Sequence, residues 1–236
     1  FAGLPDRCES EGFDREDMKL PEGHLRMIEA VARANPNTVV ILLCGSVVEC
    51  PWADRVKAIL YMGLPGQAGG EAAADLLYGR VNPSGKLAES WPMAYGDVPS
   101  SEIYGKTADA LYQEGIYVGY RCYDKAGVPV RWPFGYGLSY TAFAYSGLTA
   151  EGDRVSVAVK NTGTCAGAEV VQLYIGTPQN GLHRPLRELK GFQKVFLQPG
   201  ESRTVTFSLT DRSFAVWQDG WKVPAGTYAV CIGGLQ

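Results

Sequence analysis

The chain has 236 residues, of which 46% are hydrophobic and 20% charged, with a formal net charge of -3. This is the composition of a soluble globular protein of two ordinary domains, each long enough to hold its own core. The weakly acidic balance offers no basic field for nucleic acid or anionic lipid, and no apolar run reaches the length of a membrane span.

In chain order, Phe1-Ala2-Gly3-Leu4 reads as the end of a strand whose beginning is missing. The true N-terminus is therefore expected elsewhere, and no localisation follows from the absence of a signal peptide. Next comes Glu9-Ser10-Glu11-Gly12-Phe13-Asp14-Arg15-Glu16, in which five of eight residues are charged. Burying so many charges would cost more than Phe13 returns, so the stretch is an exposed loop. Loops that gather carboxylates around a glycine suit acid/base chemistry, while the plainer reading is a solvated turn capping the next helix.

That helix opens at Pro21-Glu22-Gly23, with Leu25, Ile28, Val31 and Ala32 on one face. Asn35-Pro36-Asn37 stops it, and the unbroken apolar run from Thr38 to Cys44 predicts a strand covered on both faces, as parallel sheets require. Val56 to Tyr61 is the next strand and Glu71 to Tyr78 the next helix, with Glu71 at its positive end. This alternation argues for a doubly wound α/β layer. The glycines around it are not a phosphate loop: Gly79 and Gly85-Lys86 are separated by five residues instead of four, and Leu87 stands where a hydroxyl would hold magnesium.

From about Glu89 to Tyr136 the chain is rich in Tyr, Trp, Pro and Gly, the composition of an extended connector. Its rings, among them Tyr112, Tyr117, Tyr120, Trp132 and Phe134, read as glue between domains or as platforms for sugar faces. After Phe143 the pattern changes to period two. Val155, Val157 and Val159 alternate with polar neighbours, Glu169 to Ile175 and Gln193 to Leu197 follow, then Ser202 to Leu209, Phe214 to Gln218 and Tyr228 to Ile232. Turn signals at Asn161-Thr162-Gly163, Pro199-Gly200-Glu201 and Pro224-Ala225-Gly226 separate them at β-sandwich spacing. The fold class is thus a partial, truncated α/β sandwich layer followed by an all-β immunoglobulin- or fibronectin type III-like sandwich. The expected boundaries are 1–94 for the α/β part, 95–140 for the connector and 141–236 for the sandwich. Six cysteines without paired short spacings and only two histidines argue against zinc, and no cofactor is expected. A chain of this size does not need a disulfide, although the sequence does not exclude one.

The stretch Glu11-Gly12-Phe13-Asp14-Arg15-Glu16 before Leu20-Pro21 resembles the catalytic loop of glycoside hydrolase family 3, the β-glucosidases and β-xylosidases. Similar motifs follow in the family's order: Leu64-Pro65-Gly66-Gln67-Ala68-Gly69-Gly70-Glu71, Asn82-Pro83-Ser84-Gly85-Lys86-Leu87, Gly119-Tyr120-Arg121, Pro133 to Tyr140 and Glu188-Leu189-Lys190-Gly191-Phe192. The resemblance implies a retaining mechanism, with an Asp nucleophile on a (β/α)8 barrel and a Glu acid/base on the α/β domain. By motif that Glu is Glu11, with Glu9 two residues away as the alternative, and Phe13 would line the leaving-group site. Asp14 and Arg15 would pair with each other or with neighbours to fix the loop. Nothing here supplies a barrel, which alone needs about 250 residues. The chain is therefore expected to be the C-terminal part of an enzyme acting on β-linked oligosaccharides or aryl and alkyl β-glycosides, inactive by itself. A homo-oligomer is compatible with this reading. The competing expectation is a non-catalytic carbohydrate-binding or structural module.

Overall fold

The computed structural model describes residues 1–106, 108–178 and 181–233. The chain divides into two compact units. The first comprises Phe1–Val81, Ser90–Gln113 and Pro129–Pro133, and the second Asn82–Glu89, Glu114–Val128 and everything from Phe134 onward.

The first unit is built on a parallel sheet of β1 (Ala2–Gly3), β2 (Val39–Leu43) and β3 (Ala58–Tyr61), in that spatial order. The apolar run forms the central strand, and Val40, Ile41 and Leu42 are buried as its two-sided cover demands. Helix α1 (Glu22–Ala34) links β1 to β2 and buries Ile28 and Ala32, one turn apart. Val31 lies at the margin of that stripe and stays exposed, which narrows the predicted face. Helix α2 (Gly69–Leu77) starts two residues earlier than predicted, with Glu71 in its first turn, where the helix dipole favours a carboxylate. β3 begins at Ala58 because Val56 is spent closing a short 3-10 turn over Ala53–Arg55.

A short antiparallel pair, β4 (Trp91–Pro92) and β5 (Val130–Trp132), covers the unit. Trp91 is buried, its indole N–H donates to the Val48 carbonyl, and its ring meets Tyr61 and Trp132 edge-on at 5.0 and 5.4 Å. In the same unit Cys44 and Cys50 are buried, and none of the six cysteines is in a disulfide. Burial, aided by the neighbouring Cys44, pushes the Cys50 thiol up to about 12 from its usual 9.0. The folded state then keeps a proton that the unfolded chain releases, so stability is lost as pH rises from 9 towards 12. Urea titrations across that interval should show a shallower loss for Cys50→Ala than for the wild type.

The second unit contains α3 (Tyr120–Ala126) and a sandwich of two three-stranded antiparallel sheets. One sheet has the order β10 (Ser202–Ser208), β7 (Arg154–Asn161), β6 (Phe143–Glu151), and the other β13 (Ala229–Ile232), β8 (Gly167–Gly176), β9 (Arg187–Leu197). The predicted alternation sends Val155, Val157 and Val159 inward against Val171, Leu173, Ile175, Val195, Leu197 and Ile232. The run at Phe214 is not one strand. A short helix, α4 (Asp211–Phe214), precedes a two-residue ladder of β11 (Val216–Trp217) with β12 (Trp221–Lys222). Two polar residues near the glycine-rich stretch also serve this unit. Asn82 accepts from Ser139 Oγ and from Tyr140 N–H at 2.9 Å each. Lys86 Nζ lies 3.0 Å from the Glu169 carboxylate and 2.8 Å from the Gly137 carbonyl.

Candidate active site

The acidic loop leaves the C-terminal end of β1 and enters α1, on the side of a parallel sheet where α/β proteins place their ligands. Ser10 and Phe13 form an isolated antiparallel bridge, so Glu11 and Gly12 occupy the tip of a tight turn. The Gly12 N–H turns back to Ser10 Oγ at 3.4 Å. Glu11 is exposed, with no hydrogen bond or ion pair to any of the described residues.

Glu9 is placed differently. Its Oε2 accepts the Gly45 N–H at 2.8 Å, and its Oε1 accepts from Ser46 Oγ at 2.7 Å. Both oxygens are thus engaged with the segment that follows β2. Arg15 reaches the same segment, donating through Nη1 to Ser46 Oγ at 2.7 Å and to the Val47 carbonyl at 3.0 Å. Asp14 acts on the nearby Tyr104 phenol, and hydrogen bonding towards it is the largest cause raising that hydroxyl above its ordinary range. The expected pairing of Arg15 with neighbours therefore has named partners, Ser46 and Val47.

Phe13 is 47% exposed, and with Asp14, Arg15 and Glu16 it forms part of the wall of a recess of about 510 Å³ beside the first turn of α1. Such a wall, part ring and part charge, can hold a sugar-sized group by stacking and hydrogen bonding. Ser46, which holds both Glu9 and Arg15, belongs to no motif of its own. The position of Gly45-Ser46 directly after a buried parallel strand was the available hint.

The chain has close counterparts among known proteins. Residues 1–120 match the glycosyl hydrolase family 3 C-terminal domain, and residues 169–236 a fibronectin type III-like domain. The thermostable beta-glucosidase B of Acetivibrio thermocellus is 50% identical over 99% of this chain, and the exo-alpha-(1->6)-L-arabinopyranosidase of Bifidobacterium breve 46% identical over 99%. The chain spans about a third of each, 32% in both cases. The crystal structure of the GH3 beta-glucosidase from Bifidobacterium adolescentis superposes with a TM-score of 0.95 at 46% identity, covering 100% of this chain and 36% of that one. The beta-glucosidase of Kluyveromyces marxianus in complex with glucose gives 0.94 at 42%, covering 99% and 29%. With an α/β domain that carries the acidic loop, a β-sandwich that follows it in the chain, and a domain match over half of its residues, the chain belongs to glycoside hydrolase family 3.

Proposed function

We propose that this chain is the C-terminal part of a retaining β-glycosidase of the β-glucosidase type, and that Glu11 is its acid/base residue. The observation that carries the reading is the contrast within one loop. Glu11 stands exposed at the turn tip, while both carboxylate oxygens of Glu9 are tied to Gly45 and Ser46. A general acid must meet the glycosidic oxygen directly, and a carboxylate fixed on both oxygens by the fold cannot.

In the first step Glu11 gives its proton to the leaving oxygen while a carboxylate nucleophile attacks the anomeric carbon from the opposite face. In the second, the Glu11 carboxylate takes a proton from the water that releases the sugar. The nucleophile belongs to polypeptide beyond these 236 residues, on a (β/α)8 barrel, with its carboxyl roughly 5 to 5.5 Å from that of Glu11 in the assembled enzyme. Phe13 stacks against the leaving group.

The substrate class is a terminal, non-reducing β-D-glycosidic bond. An α-L-arabinopyranoside, named for the relative from Bifidobacterium breve, carries its leaving oxygen equatorially, as a β-D-glucoside does. One placement of the acid therefore serves either sugar, and the choice between them is made by the groups around the glycon. The test is reconstitution: the 236-residue chain and a family 3 barrel fragment are assayed singly and mixed on an aryl β-glucoside. Turnover is expected only in the mixture. Saccharide binding by the isolated chain, unaffected by Glu11→Gln and without turnover in the mixture, would instead mark a binding module.

A further inference from the structure

We infer that Ser46, together with Glu9 and Arg15, is a clamp that sets the position of the Glu11 turn, so that Ser46 is a positioning residue for proton transfer. This inference rests on the assignment of Glu11 as the acid.

A two-residue turn closed by one bridge and a 3.4 Å hydrogen bond has little of its own to hold a carboxyl in place. The stems supply the fixation. Five residues separate Glu9 from Arg15, and the two side chains converge on one hydroxyl that lies 37 and 31 positions away in sequence. Ser46 Oγ spends its single proton on Glu9 Oε1 and a lone pair on Arg15 Nη1, both at 2.7 Å. Carboxylate, hydroxyl and guanidinium thus form a row in which each bond has a charged partner, the stronger kind of hydrogen bond.

Each stem also has a second fixed point on the backbone, Glu9 Oε2 on Gly45 N–H at 2.8 Å and Arg15 Nη1 on the Val47 carbonyl at 3.0 Å. Two contacts per stem suppress rotation as well as translation. Gly45 packs closely here: a Cβ there would stand 3.1 Å from Leu64 Cδ1 and 3.3 Å from Glu9 Oε1, so it would press on both side chains. The buried Arg15 Nη2 has no partner among the described residues, so the guanidinium is held by the bonds to Ser46 and Val47 alone.

The experiment compares two substrates on the barrel-reconstituted enzyme. An alkyl β-glucoside needs its leaving oxygen protonated, and a 2,4-dinitrophenyl β-glucoside does not. Ser46→Ala should lower kcat/KM on the alkyl substrate by roughly ten- to a hundredfold, the scale of a sub-ångström to 1 Å misplacement, and spare the dinitrophenyl substrate. Ser46→Thr, which keeps the hydroxyl, should recover the alkyl activity, and Ser46→Ala should cost nothing further in a Glu11→Gln background. A loss shared equally by both substrates would show a merely structural role and overturn the clamp, as would no loss on either. If Glu11→Gln itself lacks leaving-group dependence, the acid assignment fails and takes the clamp with it; if Glu11→Gln has that dependence and Ser46→Ala does not, only the clamp fails. Should Ser46→Ala not fold, Glu9→Gln carries the same comparison.

Discussion

In the assembled enzyme, Glu11→Gln should lower kcat/KM for alkyl β-glucosides by roughly 10²- to 10⁴-fold, the usual worth of a positioned general acid. The amide keeps the size of the side chain and, being exposed at the turn tip, leaves no buried group unpaired, so folding should be unchanged. The loss belongs to the chemistry and must follow the leaving group. A 2,4-dinitrophenolate departs without a proton, so the first step survives and the glycosyl-enzyme accumulates as a burst, because water now lacks its base. Azide needs no base; it should restore turnover and yield a glycosyl azide of retained configuration. Glu9→Gln should lose less and should not respond to azide, since Glu9 acts through Ser46 and Gly45. Azide rescue of Glu9→Gln but not of Glu11→Gln would reverse the two assignments.

Much of the fold is legible because its cores are made of uninterrupted local patterns. The run through Val40, Ile41 and Leu42 is apolar on both faces and becomes the central parallel strand. The alternation of Val155, Val157 and Val159 becomes the inner face of β7, and the valines are at most 1% exposed. What escapes the pattern is set by long-range or cap chemistry. Helix α3 lies where the aromatic composition predicts extended chain; it is seven residues long and is ended by Gly127 in the left-handed region at φ 66. Helix α4 replaces the start of a strand because Ser213 Oγ takes the Thr210 N–H at 3.2 Å and caps the turn locally. Strand β6 was not predicted: its inward positions are interrupted by an irregularity between Ser146 and Thr149, which breaks the period of two.

The site divides in the same way. A cluster of charges around Gly12 shows an exposed loop, and its motif singles out Glu9, Glu11 and Phe13. It cannot say which carboxyl is free, because that depends on Ser46, a residue 37 positions later with no motif of its own. Two acids two residues apart look alike in sequence and differ only in what the end of β2 does with them.

Asn161→Leu should destabilise the sandwich by about 3 to 5 kcal/mol, at the upper end of what one substitution does. The sequence marks Asn161 as the first residue of a turn, but in the fold it is 0% exposed and its amide is fully spent. Nδ2 donates to the carbonyls of Cys165 and Leu197 at 2.9 and 3.0 Å; Oδ1 accepts from Thr141 Oγ1 at 2.6 Å and from Gly163 N–H at 3.1 Å. Its backbone adds bonds to Glu201 and Gly200 at 2.9 and 3.0 Å. One side chain therefore ties together the entry to β6, the turn from β7 to β8 and the end of β9, elements drawn from both sheets. Leucine matches the amide in volume and leaves two carbonyls, a hydroxyl and an amide N–H to find other partners, at about 1 to 3 kcal/mol for each that stays buried and unpaired. A melt followed by calorimetry should place the sandwich transition on the order of 10–20 °C lower. Thr141→Val, which removes a single partner, should cost about 1 kcal/mol in the wild type and less when Asn161 is already leucine, because the two share a bond. If Asn161→Leu melted with the wild type, the hydrogen bonds seen at this residue would contribute no net stability, and the sandwich would be held by its valine and leucine core alone.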